Sequence, residues 1–393
     1  MLIYKKTKGG KNMSKNKIKK TLTILAIITL LIIALIVIYH FTFNNSTNTS
    51  TTTNENNITN NSENQTLIAE ITEQEEKWEW QHDTPENHNI DITALNSVHN
   101  TIDEYPINAG VIVKDGVIVD EYYKEGYNEN SIFTLQSTSK SITSAILGIA
   151  IDKGYIENVN IPISNYFPQI QESNSTYLKE ITIWNLLTHS TGFNVNESAN
   201  WNEWRSPENW VNYVLDRKVT SRPGTVFNYF TGNTHLLSAI IQEATGKNTY
   251  DFGKEYLFEP LDMDSVECTT DAQGISDGGN EFSMNVYDMA KFGQLYLNRG
   301  VWKGEQIISE QWIEDSTNVQ FDRPSGSADY GYQWWVRTFS EENYHTYFAQ
   351  GHWGQYIFVV PDLELVVVFT SHYEGSSSIY WQLMNNIVNA CRE

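Results

Sequence analysis

The chain has 393 residues, of which 40% are hydrophobic and 13% aromatic, enough to build a sizeable core. Its 26 basic residues stand against 48 acidic ones, for a formal net charge of −22. An acidic chain of this kind argues against a nucleic-acid partner, because the phosphate backbone is itself negative.

The chain begins with a basic segment that is followed by an apolar one. Residues 1–43 contain eight lysines and no acidic residue, and residues 21–39 carry no charge. About 20 such residues span a bilayer, and lysines on the N-terminal side favour a cytoplasmic end. The alternative is a cleaved signal peptide, but its apolar region would be shorter and would end in a small-residue cleavage site, which is not found here. We predict a cytoplasmic basic tail at 1–20, a transmembrane signal anchor at 21–43, and a location outside the cell membrane for the remainder of the chain.

Residues 44–66 consist almost entirely of Asn, Thr and Ser. This composition cannot bury enough apolar surface to fold, so we predict a disordered linker. The segment contains six N-x-[ST] sequons, at Asn44, Asn45, Asn48, Asn57, Asn60 and Asn64. They are compatible with a glycosylated extracellular linker, and an unmodified low-complexity segment explains them equally well. Residues 67–393 are predicted to form one globular domain.

The globular part begins with strands, continues with helices and ends with strands. Residues 108–123, NAGVIVKDGVIVDEYY, have the pattern of two strands joined at a Lys-Asp-Gly turn. The following SITSAILGIAIDKG places apolar residues at helical spacing and ends at Gly154. Residues 155–270 are mostly helical in pattern, before strands such as QYIFVVPD and a final helix, SIYWQLMNNIVNAC. This order predicts an α+β fold, an antiparallel sheet flanked by helices with an inserted all-helical subdomain, and a cleft between the two parts.

A serine and a lysine stand three residues apart where the apolar helix starts. Ser137 and Lys140, in QSTSKS, then lie one turn apart on the same helix face. The helix N-terminus directs partial positive charge and free N–H groups at the serine, and a neighbouring amine can take its proton. The motif therefore indicates an activated nucleophile. The alternative is an ordinary helix cap with a solvated lysine, as the same spacing at Ser14 and Lys17 in the basic tail shows.

Two further segments carry groups that suit such a site. Tyr229 lies in a turn-rich loop before a helix, and a nearby ammonium would lower the pKa of its phenol, so that it could act as a general base. His352 and Gly354 precede a strand, where the backbone N–H of Gln355 could face a developing oxyanion. Taken singly, a buried structural tyrosine and a plain turn before a strand explain these segments as well.

The cysteines and tryptophans give less direct information. Cys268 and Cys391 are 123 residues apart in sequence, and nothing shows whether they pair. No cysteine pair has metal-ligand spacing, so neither a metal nor another cofactor is predicted. Six tryptophans near the motifs line either the core or an apolar or sugar-stacking cleft: Trp201, Trp204, Trp210, Trp334, Trp335 and Trp353.

The three segments, taken in order, resemble the serine β-lactamase and penicillin-binding-protein superfamily, and most closely its class C β-lactamase and esterase branch. Further phrases that resemble this branch are ITIWNLLTHSTGF (181–193), RPGTVFNY (222–229), LLSAIIQEATG (236–246), LFEPLDMDSVE (257–267) and MAKFGQLYLNRGVWKGEQIIS (289–309). The resemblance covers about residues 90–390 and implies a β-lactamase-like fold.

The resemblance also implies roles for the residues of the motifs. Ser137 would be the acylated nucleophile, Lys140 would tune it, and Tyr229 would relay protons to the leaving group. The backbone N–H groups of Ser137 and Gln355 would form the oxyanion hole. His352, Trp353, Gly354 and Thr231 occupy the positions of the family's remaining motif residues and would complete the catalytic and substrate-binding set.

Two departures from the family pattern bear on the substrate. The family's Y-x-N is here Tyr229-Phe230-Thr231, and its K-T-G is His352-Trp353-Gly354. A neutral histidine does not supply the positive charge that the family's lysine offers to a β-lactam carboxylate. The sequence therefore favours the esterase and amide-hydrolase members over an efficient β-lactamase.

These observations predict a membrane-anchored extracellular serine hydrolase that cleaves an amide or ester bond through an acyl-serine intermediate. Its expected partners are a small-molecule or peptide substrate and the membrane that holds the N-terminal helix. The alternatives are a D-amino-acid peptidase of the penicillin-binding type and a catalytically silent surface binding protein on the same fold. A metalloenzyme is disfavoured, because the histidines lack H-E-x-x-H spacing.

Overall fold

The computed structural model describes residues 77–198, 203, 205–323 and 328–391. Contacts divide the chain into two compact units, Met1–Glu76 and Lys77–Glu393, and the described residues belong to the second. The predicted tail, anchor and linker, and the first residues of the predicted globular domain, therefore lie outside the described residues. Among the described helices, none is both long and apolar enough to cross a bilayer.

One antiparallel sheet of seven strands organises the described unit, in the order β2-β1-β12-β11-β10-β9-β8. A three-stranded sheet, β3-β5-β4, and a hairpin, β6-β7, accompany it. The strands are β1 Ile107–Lys114, β2 Val117–Tyr123, β3 Phe133–Thr134, β4 Glu267–Cys268, β5 Phe282–Met284, β6 Val301–Trp302, β7 Glu305–Gln306, β8 Asp329–Tyr330, β9 Trp335–Phe339, β10 Tyr344–Gly351, β11 Gln355–Val360 and β12 Leu365–Ser371.

Helices cover both faces of the main sheet. Those described are α1 Ile92–Asp103, α2 Ser139–Asp152, α3 Thr176–Glu180, α4 Ile183–Leu187, α5 Trp210–Leu215, α6 Thr231–Thr245, α7 Thr249–Gly253, α8 Val286–Leu297, α9 Glu310–Thr317 and α10 Ser378–Ala390. The terminal helices α1 and α10 share one hydrophobic cluster with one sheet face. The other face packs on α8 and on the helical region that contains α2 and α6. Both central strands, β11 and β12, are consequently buried along their whole length.

The helix α2 lies at the centre of the helical region. Every residue from Ser139 to Ala150 is buried, so the helix has no solvent-facing side over that stretch. Burial on every side fixes this helix within the core, and with it the groups at its N-terminus. The longer helix α6 packs beside α2 and ends at Gly246, whose left-handed φ of 74° forms its C-terminal cap.

The predicted α+β architecture is confirmed: an antiparallel sheet flanked by helices carries a mostly helical insertion. The predicted hairpin at 108–123 corresponds to β1 and β2, and the predicted helix that ends at Gly154 corresponds to α2. The open question of the cysteines is also answered, since both Cys268 and Cys391 are free thiols.

Candidate active site

The predicted nucleophile stands in a strained turn between β3 and α2. Residues Gln136–Thr138 form one 3-10 turn, and Gln136 has a φ of +51°, in the left-handed region that non-glycine residues rarely adopt. Ser137 follows, half-buried, directly before the first turn of α2. The turn therefore holds the serine hydroxyl at the positive end of a buried helix.

The structure brings Ser137 and Lys140 together. The Lys140 Nζ donates to Ser137 Oγ at 3.0 Å and to the carbonyl oxygen of Gly279 at 2.8 Å. Burial lowers the pKa of Lys140 to about 8, although the charges of Glu197 and Asp277 oppose this shift. A sizeable fraction of this amine is therefore neutral near physiological pH, as a base for the serine proton must be.

Tyr229 reaches the same point from the loop before α6. Its ring lies 5.1 Å from Lys140 Nζ, packs on His189 at 4.5 Å, and stacks on Trp335 at 5.8 Å. Burial raises the pKa of Tyr229 well above its usual value, while its interaction with Ser137 opposes this rise. The expectation that this pKa is lowered is wrong, because desolvation, to which the charge of Glu197 adds, outweighs the interaction with Ser137. Tyr229 therefore holds its proton at neutral pH and is placed to donate it.

The turn between β10 and β11 docks on the nucleophile turn. A Cβ on Gly351 would lie 2.2 Å from the carbonyl oxygen of Leu135, so only glycine allows this approach. The Thr138 hydroxyl donates to the carbonyl oxygen of Gln355 at 3.0 Å. These two contacts hold the start of β11 beside Ser137, which is the arrangement that an oxyanion hole made by the two backbones needs.

His352, Trp353 and Gly354 form the tip of that turn. His352 is exposed, and its ring lies 5.1 Å from the Trp353 ring, which is half-buried. Gly354 has a φ of 93°, and a Cβ there would lie 1.9 Å from the hydroxyl of Tyr380. The space left by the missing side chain of Gly354 is therefore occupied by the Tyr380 side chain.

Thr231, at the position of the family's asparagine, is fully buried. Its hydroxyl donates to Glu197 Oε1, and its backbone N–H donates to Glu197 Oε2 at 3.1 Å. Its side chain is therefore connected to the cleft through Glu197. Sequence reasoning missed Glu197, because the surrounding NVNESANW has neither periodicity nor a motif that would single out one carboxylate.

Ser137, Tyr229 and Glu197 line one cleft of about 590 Å³, together with the tip of the turn between β10 and β11. Its lining residues are Gln136, Ser137, Glu197, Ser198, Arg205, Tyr229, Asn280, Glu281, His352 and Trp353. Within the described ranges, no group of three or more His, Cys, Asp or Glu side chains is placed to hold a metal ion. The chemistry available in the cleft is that of a hydroxyl, an amine and a phenol in mutual contact.

The tryptophans of the sequence analysis divide between cleft and core. Trp353 lines the cleft, whereas Trp334 is fully buried in the core. The Trp335 ring stacks on the Tyr229 ring at 5.8 Å. Trp210 packs against Arg205 at 5.6 Å. Trp201 and Trp204 lie outside the described residues.

Comparison with known proteins identifies the family of the chain. The model of the beta-lactamase family matches residues 102–380. The 6-aminohexanoate-dimer hydrolase of Paenarthrobacter ureafaciens is 24% identical over 314 residues, which cover 74% of this chain and 78% of that protein.

Two solved structures share the fold. The octameric penicillin-binding protein homologue from Pyrococcus abyssi superposes with a TM-score of 0.62 at 19% identity, over 76% of this chain and 78% of that one. The class C beta-lactamase from Rhodobacter sphaeroides gives a TM-score of 0.61 at 16% identity, over 76% of this chain and 99% of that one.

The fold and the site together define a member of the serine β-lactamase and penicillin-binding-protein superfamily. Since the family model matches well over half of its residues, the chain belongs to the beta-lactamase family. The resemblance inferred from the motifs is thereby confirmed.

Proposed function

We propose that the protein is a serine hydrolase that cleaves an amide or ester bond through an acyl-Ser137 intermediate. The observation that carries this proposal is the 3.0 Å contact between the buried Lys140 Nζ and the Oγ of Ser137, a residue that lines the cleft. A fully buried amine has no structural need to face a serine hydroxyl. It costs folding free energy, and its pKa of about 8 suits proton transfer.

Acylation uses the three contacting groups in turn. Ser137 Oγ attacks the substrate carbonyl carbon, and its proton passes to the neutral amine of Lys140. The backbone N–H groups of Ser137 and Gln355 stabilise the oxyanion of the tetrahedral intermediate. The intermediate collapses by breaking the bond to the leaving nitrogen or oxygen, which takes a proton from Tyr229. The Lys140 ammonium then returns a proton to Tyr229.

Deacylation repeats these steps with water as the nucleophile. The amine of Lys140, acting through Tyr229, accepts a proton from the water that attacks the acyl carbon. The bond to Ser137 Oγ breaks, and the serine recovers its proton as the carboxylic acid leaves. Each turnover therefore consumes one water and restores all three groups.

The charge in the cleft argues against β-lactams as the preferred substrate. Where the family's lysine would hold the drug's carboxylate, this chain has His352. The guanidinium of Arg205 is engaged with Asp277 at 2.7 Å and with Glu281 at 2.8 Å. An uncharged acyl group beside Trp353 suits this cleft better than an anionic one. A relative named as a 6-aminohexanoate-dimer hydrolase supports a substrate range wider than β-lactams.

Covalent labelling tests the proposal. The 393-residue chain is treated with a fluorophosphonate, and its intact mass and peptides are measured. We expect one adduct, on Ser137, that is absent from Ser137→Ala and retained in Ser198→Ala, which removes another serine of the same cleft. A folded wild-type protein that takes no adduct would contradict the proposal and favour a silent binding protein. Turnover of D-Ala-terminated peptides but not of esters would instead favour the D-amino-acid peptidase.

We also propose that the enzyme is anchored in the cell membrane, with its catalytic domain outside. The support is the uncharged run at 21–39 behind eight lysines. Extraction of the intact protein from membranes by carbonate alone, without detergent, would argue against this anchor.

A further inference from the structure

Glu197 is attached to the catalytic centre by an unusual helix cap. The helix α6 begins at Thr231, and its own N-cap, Phe230, has no side chain that can accept a hydrogen bond. The Glu197 carboxylate, 34 residues earlier, accepts from both the N–H and the hydroxyl of Thr231. Both carboxylate oxygens are thereby fixed at the positive end of α6, while the side chain also lines the cleft.

Thr231, the hydrogen-bond partner of Glu197, packs against Gly279, whose carbonyl oxygen accepts a hydrogen bond from Lys140. Thr231 lies so close to Gly279 that a Cβ on that glycine would be 2.6 Å from Thr231 Cγ2. The carbonyl oxygen of Gly279 is the second acceptor of the Lys140 ammonium. A continuous path of contacts therefore runs from Glu197 through Thr231 and Gly279 to Lys140.

Several charged or titratable groups surround Lys140. Burial lowers its pKa, the charges of Glu197 and Asp277 raise it, and Arg205 lowers it further. The phenol of Tyr229 lies over the ammonium, and the charge of Lys140 in turn helps to keep His189 neutral. Of the two carboxylates, Asp277 forms an ion pair with Arg205 at 2.7 Å, whereas Glu197 accepts hydrogen bonds from the neutral N–H and hydroxyl of Thr231.

We propose that Glu197 is a positioning residue that acts through Lys140. Glu197 keeps Thr231 packed against Gly279, and the Gly279 carbonyl in turn positions the Lys140 amine. The negative charge of Glu197 also sets the pH at which that amine becomes a base. The inference rests on the proposed acyl-serine function and extends it to the control of the base.

The substitution Glu197→Gln separates charge from shape. A glutamine can accept from the Thr231 N–H through its carbonyl and donate to the Thr231 hydroxyl, so the cap persists while the charge is lost. Removing a negative charge near an ammonium favours the neutral amine. We expect the Lys140 pKa to fall by about half a unit or more, and the acid limb of Ser137 acylation to move to lower pH by the same amount.

Two measurements on the 393-residue chain test this. The Lys140 side chain is titrated by NMR of labelled lysine, assigned with Lys140→Met, and the rate of fluorophosphonate labelling is followed from pH 5 to 10. Glu208→Gln, which removes an exposed carboxylate 11 residues further along the chain, is the control and should leave both profiles unchanged. Glu197→Ala, which loses the cap as well, should lower both the labelling rate and the melting temperature.

A Lys140 titration that is identical in wild type and Glu197→Gln would overturn the inference and leave Glu197 as a helix cap only. That result does not depend on activity, because the titration reads the lysine directly. Failure of the proposed function appears separately, as wild-type protein that titrates normally but never labels at Ser137.

Discussion

The buried lysine is the residue on which the proposed chemistry depends, and it lowers the stability of the fold. Lys140 is 1% exposed, and its two hydrogen bonds offset only part of the cost of removing an ammonium from water. Its pKa, about 8 in the folded protein, lies below the 10.5 of an unperturbed lysine. Between these two pH values the unfolded chain binds one proton more than the folded protein. The charged Lys140 therefore lowers the free energy of unfolding by its full amount below pH 8, and this loss disappears as the pH rises to 10.5.

This linkage predicts that an inactive variant is more stable than the wild type. Lys140→Met keeps the length of the side chain and removes the charge. At pH 7 we expect the free energy of unfolding to rise by about 1–3 kcal/mol, and the gain to shrink as the pH approaches 10.5. Chemical denaturation at pH 7 and pH 10 measures this difference in the free energy of unfolding between Lys140→Met and the wild type.

Lys153→Met, at the exposed C-terminal end of the same helix, serves as the control. Its ammonium lies over the Tyr256 ring at 4.3 Å, so this substitution should lower stability by at most about 1 kcal/mol rather than raise it. A Lys140→Met protein that is less stable than wild type at pH 7 would show that the amine is held for structural reasons.

Residue-scale predictions from the sequence succeeded where the chemistry is local. Ser137 and Lys140 are one helical turn apart, so the spacing alone places them on one face. The pKa of Tyr229 could not be predicted this way, because it depends on burial by His189 and Trp335, which come from distant segments. Glu197 was missed because its segment carries no motif and its contact is with Thr231, 34 residues further along the chain.

At the scale of elements, the site depends on how closely β10 approaches the turn before α2. Gly351, the last residue of β10, lies against the Leu135 carbonyl with no room for a methyl group. The added Cβ would also meet Gln136 Cβ at 3.1 Å, so the strained residue before the nucleophile would have to move.

We therefore predict that Gly351→Ala impairs both stability and catalysis. A methyl group 2.2 Å from a backbone oxygen forces the two segments apart, and the contact of Gln355 with the nucleophile turn goes with it. We expect a loss of about 1–3 kcal/mol in stability and a fall of 10-fold or more in the Ser137 acylation rate.

The control is Gly126→Ala, where no atom lies within 4 Å of the added Cβ and only the positive φ of 92° is strained. It should lose stability without losing acylation rate per folded molecule. An acylation rate of Gly351→Ala equal to that of the control would mean that the turn between β10 and β11 does not position the nucleophile.

The elements that the sequence revealed are those with enough residues to show a period. The hairpin β1–β2, the strands β11 and β12, and the helices α2 and α6 all carry clear alternation, apolar runs or helical spacing. Two-residue strands such as β3 and β8 have no period to detect. The middle region, predicted as mostly helical, contains helices of five or six residues such as α4 and α5, joined by turns whose conformation is set by tertiary contacts.

At the scale of the whole molecule, the site is the meeting point of segments far apart in the chain. The nucleophile turn, the segment with Glu197, the loop before α6, the turn at Gly279 and the tip between β10 and β11 converge only when the sheet and the helical region pack together. Family motifs mark three of these segments. The other two segments supply the Gly279 carbonyl and the Glu197 carboxylate. Folding brings both groups near Lys140, and no local sequence pattern predicts either of them.

The central claim is that Lys140 activates Ser137, and the most direct measurement is the pre-steady-state release of nitrophenol from a nitrophenyl ester across pH 6 to 10. The account predicts a burst equal to one acyl group per molecule. Its rate should rise with pH through an apparent pKa near 8, as the amine loses its proton. In Lys140→Met the burst rate should fall by about 100-fold or more and lose this pH dependence. A burst in Lys140→Met with the rate and pH profile of the wild type would contradict the account.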